Sequence, residues 1–526
     1  MILQKLNDKM PQIRKNIVFG ILVLLVFISS FFSGEWSDWL MSVIFILVFL
    51  LLLYSVILYK DKQSYFDNWK SRYLYNPNTY LLLLSLIVII SCFFSINKFK
   101  SFNLFFLFLA YASVYYAATK YFDKWARISI FIRIIFYNGV LVSLISLGMF
   151  FFQSSTRASG LLFNANALGS YLLFSLPIGL IYLFNVTENK KLKVFDIIGL
   201  MIIISAFILT LSYTGFVSFV IPFFILLYYF RKKIFQKKNI KYYIVITLVI
   251  LVALFIIRFQ KLGEATEAIQ IYKTISLDHI SFSFNQRFDF DLTAINIFLD
   301  NIWNGSGYNT FQSIFGRYSQ TVSEQPRYVH NYYLQMLAEI GILGFLFLVS
   351  FIILILYKAK KLFNKEPDLN KKNTYLAIFL GLLGSSIHTA FDFGWQFPAV
   401  FVLFWTFAGL VVAISSGNGF LETIKEKIKI NKVKKFIVTS VIVIVSLLLF
   451  GRGITVFISN YYSQLASKAE FNGDLEEQWN FLEQANKFNP DPNKIVDYVQ
   501  VRTKFNFLNK DEDYADLENK MKALIN

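Results

Sequence analysis

Residues 287–344 read RFDFDLTAINIFLDNIWNGSGYNTFQSIFGRYSQTVSEQPRYVHNYYLQMLAEIGILG, and they decide the fold. A polar interval with an arginine and a Gly-x-Gly turn at Gly305 and Gly307 gives way to an apolar run from about Asn331 to Tyr357. As a helix, that run is long enough to cross the roughly 30 Å hydrocarbon core of a bilayer. Its first turns are polar, and stepping by four aligns Asn331, Gln335 and Glu339 on one stripe. A carboxyl two turns below the mouth of a membrane helix is costly against lipid, so the stripe faces a bundle interior or a wet cavity. Such residues also serve as glue between helices. Here His330 and Arg287 flank the stripe, which favours a site.

The composition around this stretch is that of a membrane protein. Of 526 residues, 56% are hydrophobic and 16% charged, and 60 are Phe; mean hydropathy is +0.54. A soluble domain averages about 25% charged residues. Apolar runs recur with starts near Ile17, Trp39, Thr79, Phe102, Arg127, Gly160, Val194, Gly215, Tyr242, Asn331, Thr374, Phe397 and Phe436. The expectation is an all-α, polytopic membrane protein with about thirteen transmembrane helices. The first run follows Arg14 and Lys15 without a small-residue cleavage site, so it reads as retained. Cys92 is the single cysteine, which rules out an intrachain disulfide.

The net charge of +18 would suit nucleic acid, but its placement argues otherwise. Roughly two thirds of the Lys and Arg fall on the N-terminus and every second loop, as the positive-inside rule describes for cytoplasmic loops. The short loops of the opposite side carry only Lys98, Lys100 and Arg157. The N-terminus is therefore expected in the cytoplasm and the C-terminus outside, with the basic loops touching anionic lipid and no nucleic-acid partner. Ser154–Ser159, Ser212–Thr214, the interval 259–328 and Phe393–Gln396 then fall on the external side. No ATP or nucleotide sugar is present there, so an enzyme on that face needs an already activated donor.

Residues 1–458 read as the membrane domain, with the external loop 259–328 inside it. Within the loop, Phe288, Leu292, Ile295, Ile297, Phe298 and Ile302 recur at helical spacing and predict an amphipathic helix over the bundle. Residues 459–526 read as a small external helical tail. Ala466, Ala469, Gly473, Leu482, Ala485 and Pro490 match the offsets of one tetratricopeptide-type helix pair, with Gln478 where alanine is usual.

Taken together, Arg287, Gly305-Ser306-Gly307-Tyr308, and His330-Asn331 with Leu334, Glu339, Gly341 and Gly344 resemble the signature of the O-antigen ligase and polymerase superfamily of bacterial envelope glycosyltransferases. Arg157-Ala158-Ser159-Gly160 with Phe163-Asn164-Ala165-Asn166 and Gly169 is similar to its upstream motif. His388 with Asp392 and Pro398 forms a third block. Many members carry Ser-Arg-Gly where this chain reads Ser212-Tyr213-Thr214-Gly215; that arginine is held to bind the donor diphosphate, and Arg157 or another cation must take its place. The resemblance implies transfer of a glycan from an undecaprenyl-diphosphate donor to a lipid, protein or growing polysaccharide acceptor, outside the bacterial cytoplasmic membrane. It implies His330, Arg287 and Glu339 as catalytic residues. Arg157, Asn166, Tyr308, Asn331, Gln335, His388 and Asp392 would bind substrate.

The chemistry of the residues agrees. A diphosphate leaving group needs cations, and arginine matches phosphate oxygens with two donors at once. A sugar hydroxyl must lose its proton, which suits a histidine near neutral pH. The three histidines, His279, His330 and His388, lack zinc spacing, and no carboxylate cluster resembles a magnesium site. No metal or other cofactor is therefore expected. His388 and Asp392 are four apart and can satisfy each other on one helix face. A transporter or flippase of a lipid-linked oligosaccharide is the competing class, with inverted repeats and broken midplane helices as its marks; neither is visible in the sequence.

Overall fold

Asparagine and aspartate cut this apolar sequence into helices by capping their starts. Asn76 accepts from Asn78 N at 3.1 Å just before Pro77. Asn97 accepts from Lys100 N at 3.0 Å, Asp368 from Lys371 N at 2.9 Å and Asp474 from Glu477 N at 3.0 Å. Each cap satisfies an amide that the first helical turn leaves bare. A computed structural model describes residues 2–31, 38–58, 75–122, 124–153, 155–184, 190–234, 277–319, 326–417, 432–490 and 501. Among the described residues there are fifteen α-helices and no strand. They are α1 Ile2–Phe31, α2 Asp38–Leu58, α3 Pro77–Phe93, α4 Lys98–Tyr121, α5 Trp125–Phe152, α6 Ala165–Phe184, α7 Lys190–Leu209 and α8 Tyr213–Ile234. After them come α9 Leu277–Asp300, α10 Phe311–Tyr318, α11 Tyr332–Lys365, α12 Leu369–His388, α13 Pro398–Gly417, α14 Lys432–Asn472 and α15 Leu475–Phe488.

The protein is a helical membrane protein. By length and composition eight of the described helices can cross a bilayer, and three further apolar stretches are shorter. The expected thirteen spans are therefore not reached among the described residues. Within α1 and α2 the described apolar stretches are Asn16–Phe31 and Trp39–Tyr54, and α12 opens on the polar LNKKNT. The run near Tyr242 lies outside the described residues.

At the centre stand α13 and α6, whose apolar windows are 94% and 83% buried, against 22% for α14. α13 packs on α4 and α6 packs on α12 and α7, with Trp405 edge-on to Tyr115 and Phe108. α8 is peripheral and turns Val217, Val220, Ile221 and Phe224 outward, as a lipid-facing helix does.

The predicted amphipathic helix is present as α9. It buries Phe290, Ala294 and Ile297 against Phe311, Ile314 and Phe315 of α10 and leaves Phe288, Leu292, Ile295 and Leu299 exposed. At the C-terminal end, α14 runs unbroken across residue 458 and turns at Gly473 (φ +77°) into α15. Ala466, Ala469, Leu482 and Ala485 are buried along this helix pair. The described residues hold this one pair and no stacked second repeat, so a tetratricopeptide-like unit is not established there.

Candidate active site

Five connections meet at one end of the bundle. Ala158 N donates to Leu209 O at 2.8 Å, Tyr332 N to Thr389 O at 2.9 Å and Ile96 N to Ser306 O at 3.1 Å. These bonds tie the α5–α6 connection to α7–α8 and the α3–α4 and α12–α13 connections to α9–α11, and Asn166 Nδ2 donating to Asp392 Oδ2 joins the two groups. The polar segments expected on one face of the membrane, so far as they are described, thus share one end.

Asp392 is the hub of this end. It sits in the turn after α12 with its side chain 1% exposed. Its Oδ1 accepts from Phe393 N at 2.8 Å and its Oδ2 from Asn166 Nδ2 at 2.7 Å. Arg287 Nη2 approaches the same Oδ2 at 3.5 Å, while its Nη1 donates to Phe391 O at 3.1 Å. His330 Nδ1 stands 3.8 Å from Oδ2, a charge–dipole approach too long for a hydrogen bond. Burial disfavours the ionised carboxyl, but His330, His388 and Arg287 together more than offset it and hold Asp392 below the usual carboxylate range. The hub is an anion ringed by cationic and hydrogen-bonding groups. His330 is held from the sides by Phe393 at 4.7 Å and by Phe290, stacked at 6.1 Å.

Arg157 joins this ring from the α5–α6 side. Its Nη2 donates to Asn166 Oδ1 at 2.8 Å, so Asn166 links it to Asp392. Its Nε donates to Thr210 O at 2.7 Å and its Nη2 reaches Leu211 O at 3.4 Å. The guanidinium therefore lies against the backbone that precedes Ser212-Tyr213-Thr214. Burial lowers its pKa, Asp392 pulls it back up, and the nearby Arg287 adds to the fall; an arginine keeps its charge under such a shift.

His388 does not pair with Asp392. Its Nε2 meets Thr214 Oγ1 at 3.2 Å, which in turn meets Ser212 Oγ at 3.1 Å. The residue is fully buried and acts on Asp392 through its charge.

Glu339 bonds to the turn after Gly307 and to its own helix. Its Oε2 accepts from Asn309 N at 2.7 Å, and its Oε1 from Phe311 N at 3.1 Å and Gln335 Nε2 at 3.1 Å. The Asn331–Gln335–Glu339 stripe is real, but it holds the loop after Gly307. Asn331 caps α11 by accepting from Tyr333 N at 3.1 Å and Leu334 N at 3.2 Å. Tyr308 is buried edge-on against Phe108. The glycines are there for contact. Gly305 (φ +66°) and Gly341 (φ +67°) touch backbone at Glu339 and Trp303, where a Cβ would fall 2.2 Å and 2.3 Å from main-chain oxygens.

One residue beside the ring escaped the sequence reading. Asp291 lies one turn beyond Arg287 on α9, and burial pushes its carboxyl up to about 6 against the pull of His330 and Arg287. Its Oδ1 is buried and has no hydrogen-bond partner among the described residues. The available signal was its i+4 spacing from Arg287. Among the described residues no cluster of three or more His, Cys, Asp or Glu has metal-binding geometry.

A family model described as O-antigen ligase matches residues 198–349. That segment contains Arg287, Asp291 and His330, while Arg157, Asn166 and Asp392 lie outside it. No curated protein matches the chain.

Proposed function

That this chain belongs, through residues 198–349, to the O-antigen ligase and polymerase superfamily is the premise from which we propose its activity. It transfers a glycan from an undecaprenyl-diphosphate donor to a lipid, protein or growing polysaccharide acceptor. The reaction takes place on the external face of a bacterial cytoplasmic membrane, with the N-terminus cytoplasmic and the tail from Tyr461 external. The observation that carries this reading is the ring of Arg157, Arg287 and His330 around Asp392.

The acceptor hydroxyl attacks the anomeric carbon of the donor sugar. The bond from that carbon to the diphosphate oxygen breaks, and the diphosphate leaves with the electron pair. Arg287 and Arg157 match the charge that develops on it, and a guanidinium does so with a planar fork that lysine lacks. Two arginines supply the charge a divalent metal would otherwise bring, so turnover is proposed to need no metal. His330 positions or deprotonates the acceptor hydroxyl, with the Asp392 carboxylate 3.8 Å from its Nδ1 favouring the charged ring once it has taken a proton. Glu339 and Gln335 support it from below by holding the 305–311 turn.

The test is glycan transfer in a host lacking its own copy of the gene, with membrane protein levels measured alongside. His330→Ala should cut transfer by about 10²–10⁴-fold, Arg287→Lys should not restore what Arg287→Ala loses, and transfer should persist in EDTA. Near-normal transfer by His330→Ala would place the chemistry elsewhere.

A further inference from the structure

Three carboxyls stand near the ring, and their partners differ. Asp392 has both oxygens occupied, by Phe393 N on one and by Asn166 and Arg287 on the other. Glu339 has both oxygens occupied by the amides of Asn309 and Phe311 and the side chain of Gln335. Each oxygen of both carboxyls thus already has a partner. Asp291 differs, because its Oδ1 is withdrawn from water and accepts nothing among the described residues. It shares α9 with Arg287 at i+4, and its neighbour Phe290 stacks on His330.

We infer that Asp291 is the group that takes the acceptor's proton, an assignment that rests on the glycan-transfer reading above. As the hydroxyl oxygen bonds to the anomeric carbon, its O–H bond breaks and the proton passes to Asp291 Oδ1. The carbon–oxygen bond to the diphosphate breaks in the same step, and its electron pair stays with the leaving group between the two arginines. His330 then orients the hydroxyl toward Oδ1. An unpartnered carboxylate oxygen is the stronger acceptor for such a proton, because no existing hydrogen bond must be given up. The titratable groups that act on Asp291 are Arg287 on its own helix and His330 before α11; Asp392, in the α12–α13 turn, lies 3.8 Å from His330 Nδ1. With its carboxyl raised to about 6, Asp291 is ionised and able to accept a proton at neutral pH, and loses that ability as pH falls through about 6.

The test uses the full-length protein in membranes of its host with the native gene removed, and undecaprenyl diphosphate as the binding probe. Asp291→Asn keeps the shape of the side chain and should reduce transfer by about 10²–10⁴-fold, while undecaprenyl diphosphate binds as it does to the unaltered protein. Asp291→Glu should retain a measurable part of the rate and keep its rise with pH through about 6. Transfer by Asp291→Asn within about twofold of the unaltered protein overturns the assignment, since general-base help is worth far more. Parallel loss of binding and transfer in both variants also overturns it, because the residue would then serve the fold or the donor. Unaltered membranes that transfer no glycan and bind no undecaprenyl diphosphate would instead sink the parent reading.

Discussion

Replacing Asp291 by asparagine should make the protein more stable at neutral pH while removing its activity. The carboxyl titrates at about 6 in the folded chain and near about 4 in an unfolded one. Between those values the folded state holds a proton that the unfolded state has released, so stability falls as pH rises from about 4 to about 6 and is level above that. Two pH units correspond to about 3 kcal/mol at most. Solvent reaches part of this half-buried side chain and screens it, which leaves about 1–2 kcal/mol. Asparagine matches the protonated acid in shape and charge, so Asp291→Asn should gain that amount at pH 7 and nothing near about pH 4. Cys92 provides the assay. It is the one cysteine of the chain and is fully buried, so a thiol-reactive fluorophore reports its exposure during thermal unfolding in detergent. A variant less stable than the parent at pH 7, or an equal difference at both pH values, would refute the reasoning. Opposite signs for stability and activity mark a group kept for function at the expense of the fold.

Gly341→Ala should cost about 2–4 kcal/mol, since it combines a left-handed backbone with a clash; its Cβ would fall 2.3 Å from Trp303 O. The Cys92 assay reads this as an earlier unfolding transition. For topology, cysteines placed at Ser323 and Ser467, with Cys92 replaced, should react with an impermeant reagent in intact cells. Labelling that needs permeabilised cells would invert the orientation.

The sequence made the parts of the site legible more readily than their pairing. Arg287 and His330 stood out because polar residues at the lip of a membrane helix are expensive and few. The helical period of α9 was legible, but of the six apolar residues that showed it only Ile297 is buried, while Phe288, Leu292, Ile295 and Ile302 lie exposed. The His388–Asp392 spacing suggested a local pair, yet His388 binds Thr214 and Asp392 gathers Asn166 and Arg287 from far away in sequence. Helical periodicity describes neighbours on one helix and is silent about which connections meet at its end. Glu339 shows the same limit. Its stripe was correct, but the stripe gave no means of knowing that the Gly305–Gly307 turn would consume both carboxylate oxygens. Of about thirteen expected spans, eight are long and apolar enough among the described residues, and the run near Tyr242 lies outside them.

The break at Gly341 bears on how this protein can be recombined. Ser306 N and Gly307 N donate to Ala338 O and Glu339 O, and Ile342 N donates to Ile302 O, so the loop and α11 complete each other's backbone hydrogen bonding. Transplanting residues 277–330 alone from a relative whose turn follows another backbone path would leave these carbonyls and amides without partners, at about 1–3 kcal/mol for each one left buried. A chimera meant to exchange acceptor preference therefore needs its crossover beyond Ile342, so that loop and helix stub travel as one inherited unit.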